Sequence, residues 1–460
     1  MTRRDLLNAA AAGGATLKTL AAQPQRRPNV IIFLADDLGF RDVGYNGAEF
    51  ETPNIDRLCS RGVRFERFHS FPLCSPTRAG LLTGRHPVRF GLTYSVVRPW
   101  SHYGLSPAEK TMADIFHDAG YETAAIGKWH LGHTHKRLLP QSRGFDYFYG
   151  HMNGAIDYFT RTRDGSPDWQ RNGETVREQG YSTDLLAADA ARWIQNRNPA
   201  RPFFLYLPWN APHAPLQAPP ELLNKYSSIA NERRRTYAAM VDRMDQGIGA
   251  VLSAVTASNL LDNTIILFLS DNGGPRPQGA NNGELRAGKA SVFEGGVRVP
   301  ALLHWPDKLK PGKTDQVATI MDLLPTLCAA AGVDAKPPNP LDGQNLWPLL
   351  TAGRTQPRDE LFFAVQGESS PKQHALRSGD WKYIRIDAAT RSPAQEFLFD
   401  VNADPQEKNN LLSSEPQRAA DLRSRMEKWI ALHPNCEVIV SSTPHPGWVQ
   451  PSDWAKAWVS

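Results

Sequence analysis

Cysteine is scarce in this chain, with four in 460 residues, too few for a disulfide scaffold. An excess of charge of one sign is also lacking. Lys and Arg number 52 against 47 Asp and Glu, a formal net charge of +5, without the clustered basic residues of a nucleic-acid footprint. No nucleic-acid partner is expected. No stretch reaches the roughly 20 consecutive apolar residues that span a bilayer, so a soluble mature protein without stable membrane association is expected. There is no internal repeat and no low-complexity segment. What remains is an ordinary globular composition, 41% hydrophobic and 22% charged, which excludes disordered and fibrous classes. The 36 prolines and 35 glycines point to many loops on a large sheet. At roughly 150 residues per domain the length suggests about three domains; one large α/β domain with a smaller one fits equally well.

The first residues read as an address. Thr2-Arg3-Arg4-Asp5-Leu6-Leu7, a short Ala/Gly-rich stretch and Leu20-Ala21-Ala22-Gln23-Pro24 have the order of a twin-arginine export signal over 1–22. A periplasmic location is expected.

Apolar runs of strand length alternate with helical patterns. Val30-Ile31-Ile32-Phe33-Leu34-Ala35 is a continuous run, as a strand buried on both faces requires, and it ends in Asp36-Asp37. Thr264-Ile265-Ile266-Leu267-Phe268-Leu269 ends in Ser270-Asp271-Asn272-Gly273-Gly274. Thr123-Ala124-Ala125-Ile126 runs into Gly127-Lys128-Trp129-His130, and Phe203-Phe204-Leu205-Tyr206-Leu207 precedes Asn210-Ala211-Pro212-His213-Ala214-Pro215. Helices are expected after a capping box at Ser106-Pro107-Ala108-Glu109 with a stop at Gly120, from Ser182 or Thr183, and over 232–260. Such alternation predicts an α/β fold, a large, mostly parallel sheet sandwiched by helices. Ligands of such sheets bind beyond the carboxyl ends of the strands, where these acids, amides, lysines and histidines converge.

From about Glu360 the pattern changes. Short strands at 361–365, 374–377, 381–386 and 396–399, a hairpin turn at Ser378-Gly379-Asp380 and a helix over 417–432 predict a smaller antiparallel sheet with one packed helix. The expected division is an export signal at 1–22, a catalytic domain at 23–355 and a C-terminal antiparallel subdomain at 356–460.

Asp36, Asp37, Asp271 and Asn272 offer oxygen donors at two strand ends, a set that suits a hard cation, Ca²⁺ or Mg²⁺, better than zinc. His130, His133 and His135 match no closed zinc pattern, and His133 and His135 are expected at the loop surface. Cys59, Cys328 and Cys436 read as small buried hydrophobes. Cys74 differs: in Phe71-Pro72-Leu73-Cys74-Ser75-Pro76-Thr77-Arg78-Ala79-Gly80-Leu81-Leu82-Thr83-Gly84-Arg85 it stands in a turn that opens a helix, where backbone N–H groups meet anions. A plain cysteine nucleophile would want a histidine, and His130 or His213 could serve.

Cys74-x-Pro76-x-Arg78 followed by Leu82-Thr83-Gly84-Arg85 resembles the signature of the formylglycine-dependent sulfatases of the alkaline phosphatase superfamily. Gly127-Lys128-Trp129-His130-Leu131-Gly132, Pro212-His213-Ala214-Pro215, Asp271-Asn272-Gly273-Gly274, Lys289 and Glu294-Gly295-Gly296-Val297-Arg298 extend the likeness over nearly the whole chain. Arg143-Gly144-Phe145-Asp146 and Asp157-Tyr158-Phe159 look most like the arylsulfatase B type, the N-acetylgalactosamine 4-sulfatases. The resemblance implies an alkaline phosphatase-like fold and oxidation of Cys74 to formylglycine by a formylglycine-generating enzyme. It implies one Ca²⁺, less readily Mg²⁺, held by Asp36, Asp37, residue 74, Asp271 and Asn272. Arg78 and Lys128 would steady the formylglycine and the sulfate. His213 and Lys289 would face the leaving oxygen, and His130 would take a proton as sulfate departs.

The implied substrate is a sulfated carbohydrate or aryl sulfate, cleaved in an exo manner. A phosphate or phosphonate ester hydrolase of the same superfamily is the alternative, and an inactive sugar-binding homologue the second. Within the polar stretch 161–178 and its surroundings, Trp169, Tyr158 and Trp209 are candidate faces for stacking a sugar; which sugar is not legible.

Overall fold

Side chains alternate across a strand, so a strand buried on both sides feeds two cores. Asn29–Ala35 does this: Val30, Ile32 and Leu34 enter one cluster and Ile31, Phe33 and Ala35 the other. The first cluster is covered by the helices Cys74–Thr83, Met112–Asp118 and Leu323–Ala330, the second by Pro53–Ser60, Ser182–Asn196 and Glu232–Ala257. The computed structural model describes residues 27–459 apart from 369 and 391; the export-signal reading of 1–22 lies outside the described residues.

The sheet has ten strands. Its middle is parallel, in the spatial order Thr264–Ser270, Asn29–Ala35, Phe203–Pro208, Glu122–Lys128, Tyr147–His151. Ala301–His304 runs antiparallel beside Thr264–Ser270, followed by Val63–Phe65 and Gly312–Thr314. The short strands Gln170–Arg171 and Glu174–Thr175 close the opposite edge. A mostly parallel sheet between two helical layers is what the alternation predicts.

Leu361–Val365, Gln373–Ser378, Trp381–Ile386 and Gln395–Asp400 form a separate four-stranded antiparallel sheet. The helix Pro416–Ile430 lays Ala419, Leu422 and Met426 on one face, while Phe363, Ala375, Ile384 and Phe399 join the core of the large sheet from the other. Buried Lys382 links the small sheet to the short helix Glu294–Val297, with Nζ 2.8 Å from Oε1 of Glu294 and 3.0 Å from Oε1 of Glu407.

Four sequence expectations need correction. Residues 106–109 do not open a helix. The cap is Thr111, whose hydroxyl accepts from the Asp114 amide at 3.1 Å while the Asp114 carboxylate accepts from the Thr111 amide at 2.8 Å. His133 is buried, its Nε2 3.1 Å from the Pro99 carbonyl and its ring edge-on to Trp454. Of the three cysteines read as buried only Cys328 is; Cys59 is half-buried and Cys436 exposed. Trp169, Tyr158 and Trp209 are no stacking platforms, because all three are buried in the second core cluster.

Candidate active site

Register brings the acids together. Ala35 pairs with Ser270, so the chains leave the sheet side by side as Asp36-Asp37 and Asp271-Asn272. Asp37 turns back with φ of 70°, and its amide donates to Oδ1 of Asp271 at 3.1 Å. The helix Cys74–Thr83 begins at the same edge, with every residue buried. Its entry is fixed by Thr77, whose hydroxyl accepts from the Phe71 amide at 3.0 Å. Cys74 therefore sits on the first turn and Arg78 one turn behind it.

The Cys74 sulfur is 3.4 Å from Oδ1 of Asp36, 3.4 Å from Oδ1 of Asn272 and 3.5 Å from Nζ of Lys289. Arg78 donates to Oδ2 of Asp271 at 2.9 Å and to the Lys128 carbonyl at 3.0 Å. Lys128 reaches Oδ2 of Asp36, and Lys289 donates to Oδ2 of Asp37 at 2.8 Å. His213 points Nε2 at Oδ2 of Asp37 across 3.6 Å and bonds the Ala214 carbonyl through Nδ1 at 2.6 Å. Thus Asp36, Asp37, Cys74, Arg78, Lys128, His213, Lys289, Asp271 and Asn272, named from sequence, meet in one place.

Burial in this crowd of charge sets the protonation states. Burial alone would raise Asp37, but Lys289 and His213 overcome it and hold the carboxyl down at about 2. Asp271 goes the other way, raised to about 6 by burial and by the neighbouring Asp36. Burial and Asp271 push the Cys74 thiol well up. Burial lowers His130 far below its ordinary value, with the Lys128 charge adding to the effect.

His130 is thus neutral. Its Nε2 lies 3.0 Å from the Val97 carbonyl and so carries the hydrogen, while Nδ1 is buried with no partner. Its Nδ1 lone pair is therefore unprotonated and free. Sequence reasoning missed Ser75, whose hydroxyl donates to the His130 carbonyl at 2.8 Å and accepts from the Val97 amide at 3.0 Å. It also missed His151, level with Lys128 in the sheet and buried with Nε2 unpartnered. Ser75 adjoins Cys74 and was legible by adjacency; His151 carries no local signal.

Asp36, Asp37, Cys74 and His213 bring ligand atoms within 4.8 Å of one another. With Oδ1 of Asn272 also on the sulfur, the donors fit a hard divalent cation once residue 74 offers oxygen. Asp271 has both oxygens engaged, one by Arg78 and one by the Asp37 amide.

A parallel sheet whose strand ends gather acids, cations and a cysteine at a helix start offers the groups that binding and cleaving an anionic ester would use. Comparison makes the family plain. The Sulfatase profile matches residues 28–333, and that of the N-sulphoglucosamine sulphohydrolase C-terminal region matches 287–432. Human arylsulfatase A is 34% identical, over 89% of this chain and 86% of its own length. Mouse arylsulfatase J is 34% identical over 77% of this chain, which spans 60% of that relative's length. The solved structure of Ps i-CgsB in complex with k-i-k-neocarrahexaose superposes with a TM-score of 0.82 at 34% identity, covering 93% of this chain and 95% of that one. The chain belongs to the Sulfatase family, the enzymes that hydrolyse sulfate esters.

Proposed function

We propose that this sulfatase removes a sulfate monoester from a sugar in an exo manner, as an exported, periplasmic enzyme of the arylsulfatase or N-acetylgalactosamine 4-sulfatase type. The observation that carries the reading is the Cys74 sulfur, at a helix start, ringed by Asp36, Asn272 and Lys289 with Arg78 and Lys128 behind it. The relatives support the sugar: human N-acetylgalactosamine-6-sulfatase is 34% identical over 75% of this chain, and the solved Ps i-CgsB complex holds a neocarrahexaose. Residues 23–355 would form the catalytic domain and 356–460 the subdomain closing it.

In this reading a formylglycine-generating enzyme oxidises Cys74. The hydrated aldehyde supplies one hydroxyl to attack sulfur and a second whose deprotonation releases sulfate, which a serine could not do. Asp36, Asp37, residue 74, Asp271 and Asn272 would hold Ca²⁺, which when bound offsets negative charge on the sulfate oxygens. The chain's own residues do the rest. Arg78 and Lys128 are fixed by Asp271 and Asp36, so their charges face developing anionic charge without reorganising. Lys289 and His213, side by side on Asp37, face the oxygen that leaves with the sugar. The Ala214 carbonyl takes the Nδ1–H of His213, and burial lowers the ring to about 3. His213 therefore gives that oxygen a proton from Nε2 only as the imidazolium that Asp37 and the bound sulfate stabilise. His130 accepts the proton of the second hydroxyl on Nδ1, kept free because Val97 occupies Nε2. A panel of defined sulfated saccharides, with a matched phosphate ester, tests the reading. Turnover of the phosphate ester above every sulfate ester would overturn it.

A further inference from the structure

Tyr158, too buried to stack a sugar, presses its hydroxyl into the loop that carries His213. The hydroxyl lies 2.5 Å from the Asn210 carbonyl and 2.8 Å from the His213 carbonyl. Those two carbonyls bound a tight turn, closed by the His213 amide donating to the Asn210 carbonyl at 3.0 Å. A strand end holds the turn from another side: the Asp36 amide donates to the Ala211 carbonyl at 3.1 Å, and the Trp209 amide to the Leu34 carbonyl at 2.9 Å. Asn210 is fixed further by Nδ2 donating to Ser182 Oγ at 3.0 Å. From this turn His213 points Nε2 at Asp37 across 3.6 Å.

Tyr158 is itself anchored. Its amide donates to Oε1 of Gln217 at 2.8 Å, and its carbonyl accepts from the Ser182 amide at 2.9 Å. Oδ2 of the preceding Asp157 accepts from Nε2 of the same Gln217 at 2.6 Å. The Tyr158 ring stacks on Tyr181, centroids 5.2 Å apart and planes 22° apart, and the Tyr181 hydroxyl donates to the Gln217 carbonyl at 2.8 Å. Segment 157–158 therefore grips the loop at Asn210 and His213 and again at Gln217. The phenol has one hydrogen for two buried carbonyls. Removing it strands them away from water, which is costly unless the turn opens. The His213 ring rides on that turn, whereas Arg78 and Lys128 take their places from Asp271 and Asp36.

We infer that Tyr158 is a positioning residue for the leaving-group step: its hydroxyl fixes the turn that aims Nε2 of His213 at the oxygen departing with the sugar. This rests on the reading above in which His213 protonates that oxygen. Proton transfer demands hydrogen-bond reach in the transition state, and a misplacement of about 1 Å costs about 10²-fold. The effect of Tyr158 should therefore appear only where the leaving group needs a proton.

The test uses Tyr158→Phe, which deletes one oxygen and keeps the ring in its stack. Tyr181→Phe is the control, since it deletes the neighbouring hydroxyl, bonded to Gln217 and not to His213. For each holoenzyme kcat and KM are measured on a sulfated sugar and on nitrophenyl sulfate, with thermal melting as the folding control. Carbon-13 labelling of histidine, with the His213 ring resonance assigned through His213→Gln, reads the placement of that ring at fixed pH. Tyr158→Phe is expected to lose about 10- to 100-fold in kcat on the sugar with KM little changed. It should lose far less on nitrophenyl sulfate, and the His213 resonance should move. Tyr181→Phe should keep the wild-type ratio between the two substrates and the wild-type resonance, even where its melting temperature falls as much. An unmoved His213 resonance in Tyr158→Phe, or the same selective loss in Tyr181→Phe, overturns the inference. So does an equal loss on both substrates in Tyr158→Phe while His213→Ala discriminates between them. If His213→Ala itself costs both substrates alike, the proton-donor reading fails, and a resonance displaced by Tyr158→Phe alone still supports placement of His213 by Tyr158.

Discussion

Oδ1 of Asp36 lies 3.4 Å from the sulfur of Cys74, a residue 38 positions later in the chain. One belongs to the end of a central strand, the other to the first turn of a helix on one face of the sheet. Their meeting joins the two halves of the proposed chemistry, oxygen donors for a cation and the residue that attacks.

The cation is the first consequence. Elemental analysis is expected to find about one Ca²⁺ per chain, as an all-oxygen site demands. Asp37→Ala and Asp271→Ala should lose both ion and turnover, and chelation should lower the melting temperature because only the folded state binds the ion. Activity that survives rigorous chelation, or stoichiometric zinc, would speak against it.

His213 and Lys128 should separate by leaving group. A sugar alkoxide needs a proton to depart, whereas a nitrophenolate leaves without one. General acids contribute about 10²–10⁴-fold, so His213→Ala should lose that much on a sulfated sugar and far less on nitrophenyl sulfate. Lys128→Ala should hurt both alike. Equal losses for His213→Ala would move the proton-donating role to Lys289, which shares Asp37 with it.

Stability should fall in mild acid. His86 is buried with Nδ1 accepting from the Val88 amide at 3.1 Å and Nε2 on the Phe362 carbonyl at 2.9 Å, so the fold requires the neutral ring. Burial lowers both His86 and His133 to about 4, against about 6.5 in the unfolded chain. The unfolded state therefore takes up protons first. The stabilisation is complete above about pH 6.5 and is lost as pH falls toward 4, at up to about 1.4 kcal/mol per pH unit for each histidine. Melting curves between pH 7 and 4.5 should show a shallower decline for His86→Gln than for wild type. Parallel declines would sink the assignment.

Much of this was legible because the strands are short, continuous apolar runs that end in polar residues. A parallel sheet leaves those ends only one edge to share, so Asp36, Lys128, His213 and Asp271 could be placed together. The start of the Met112–Asp118 helix was not legible, since two capping patterns stand within a few residues. What decides between them is distant: Arg143 donates to the carbonyls of Leu105, Ser106 and Glu109 and holds that segment as a turn. His133 is buried by Trp454, more than 300 positions away, a contact no local pattern encodes.

The oxidation of residue 74 decides the account most directly. Peptide mass spectrometry of turnover-competent enzyme, with and without aldehyde-specific labelling, reads the state of that side chain. The account predicts an aldehyde at residue 74 in the active fraction and no turnover by Cys74→Ala. Full sulfatase activity from protein whose residue 74 remains a thiol would contradict it.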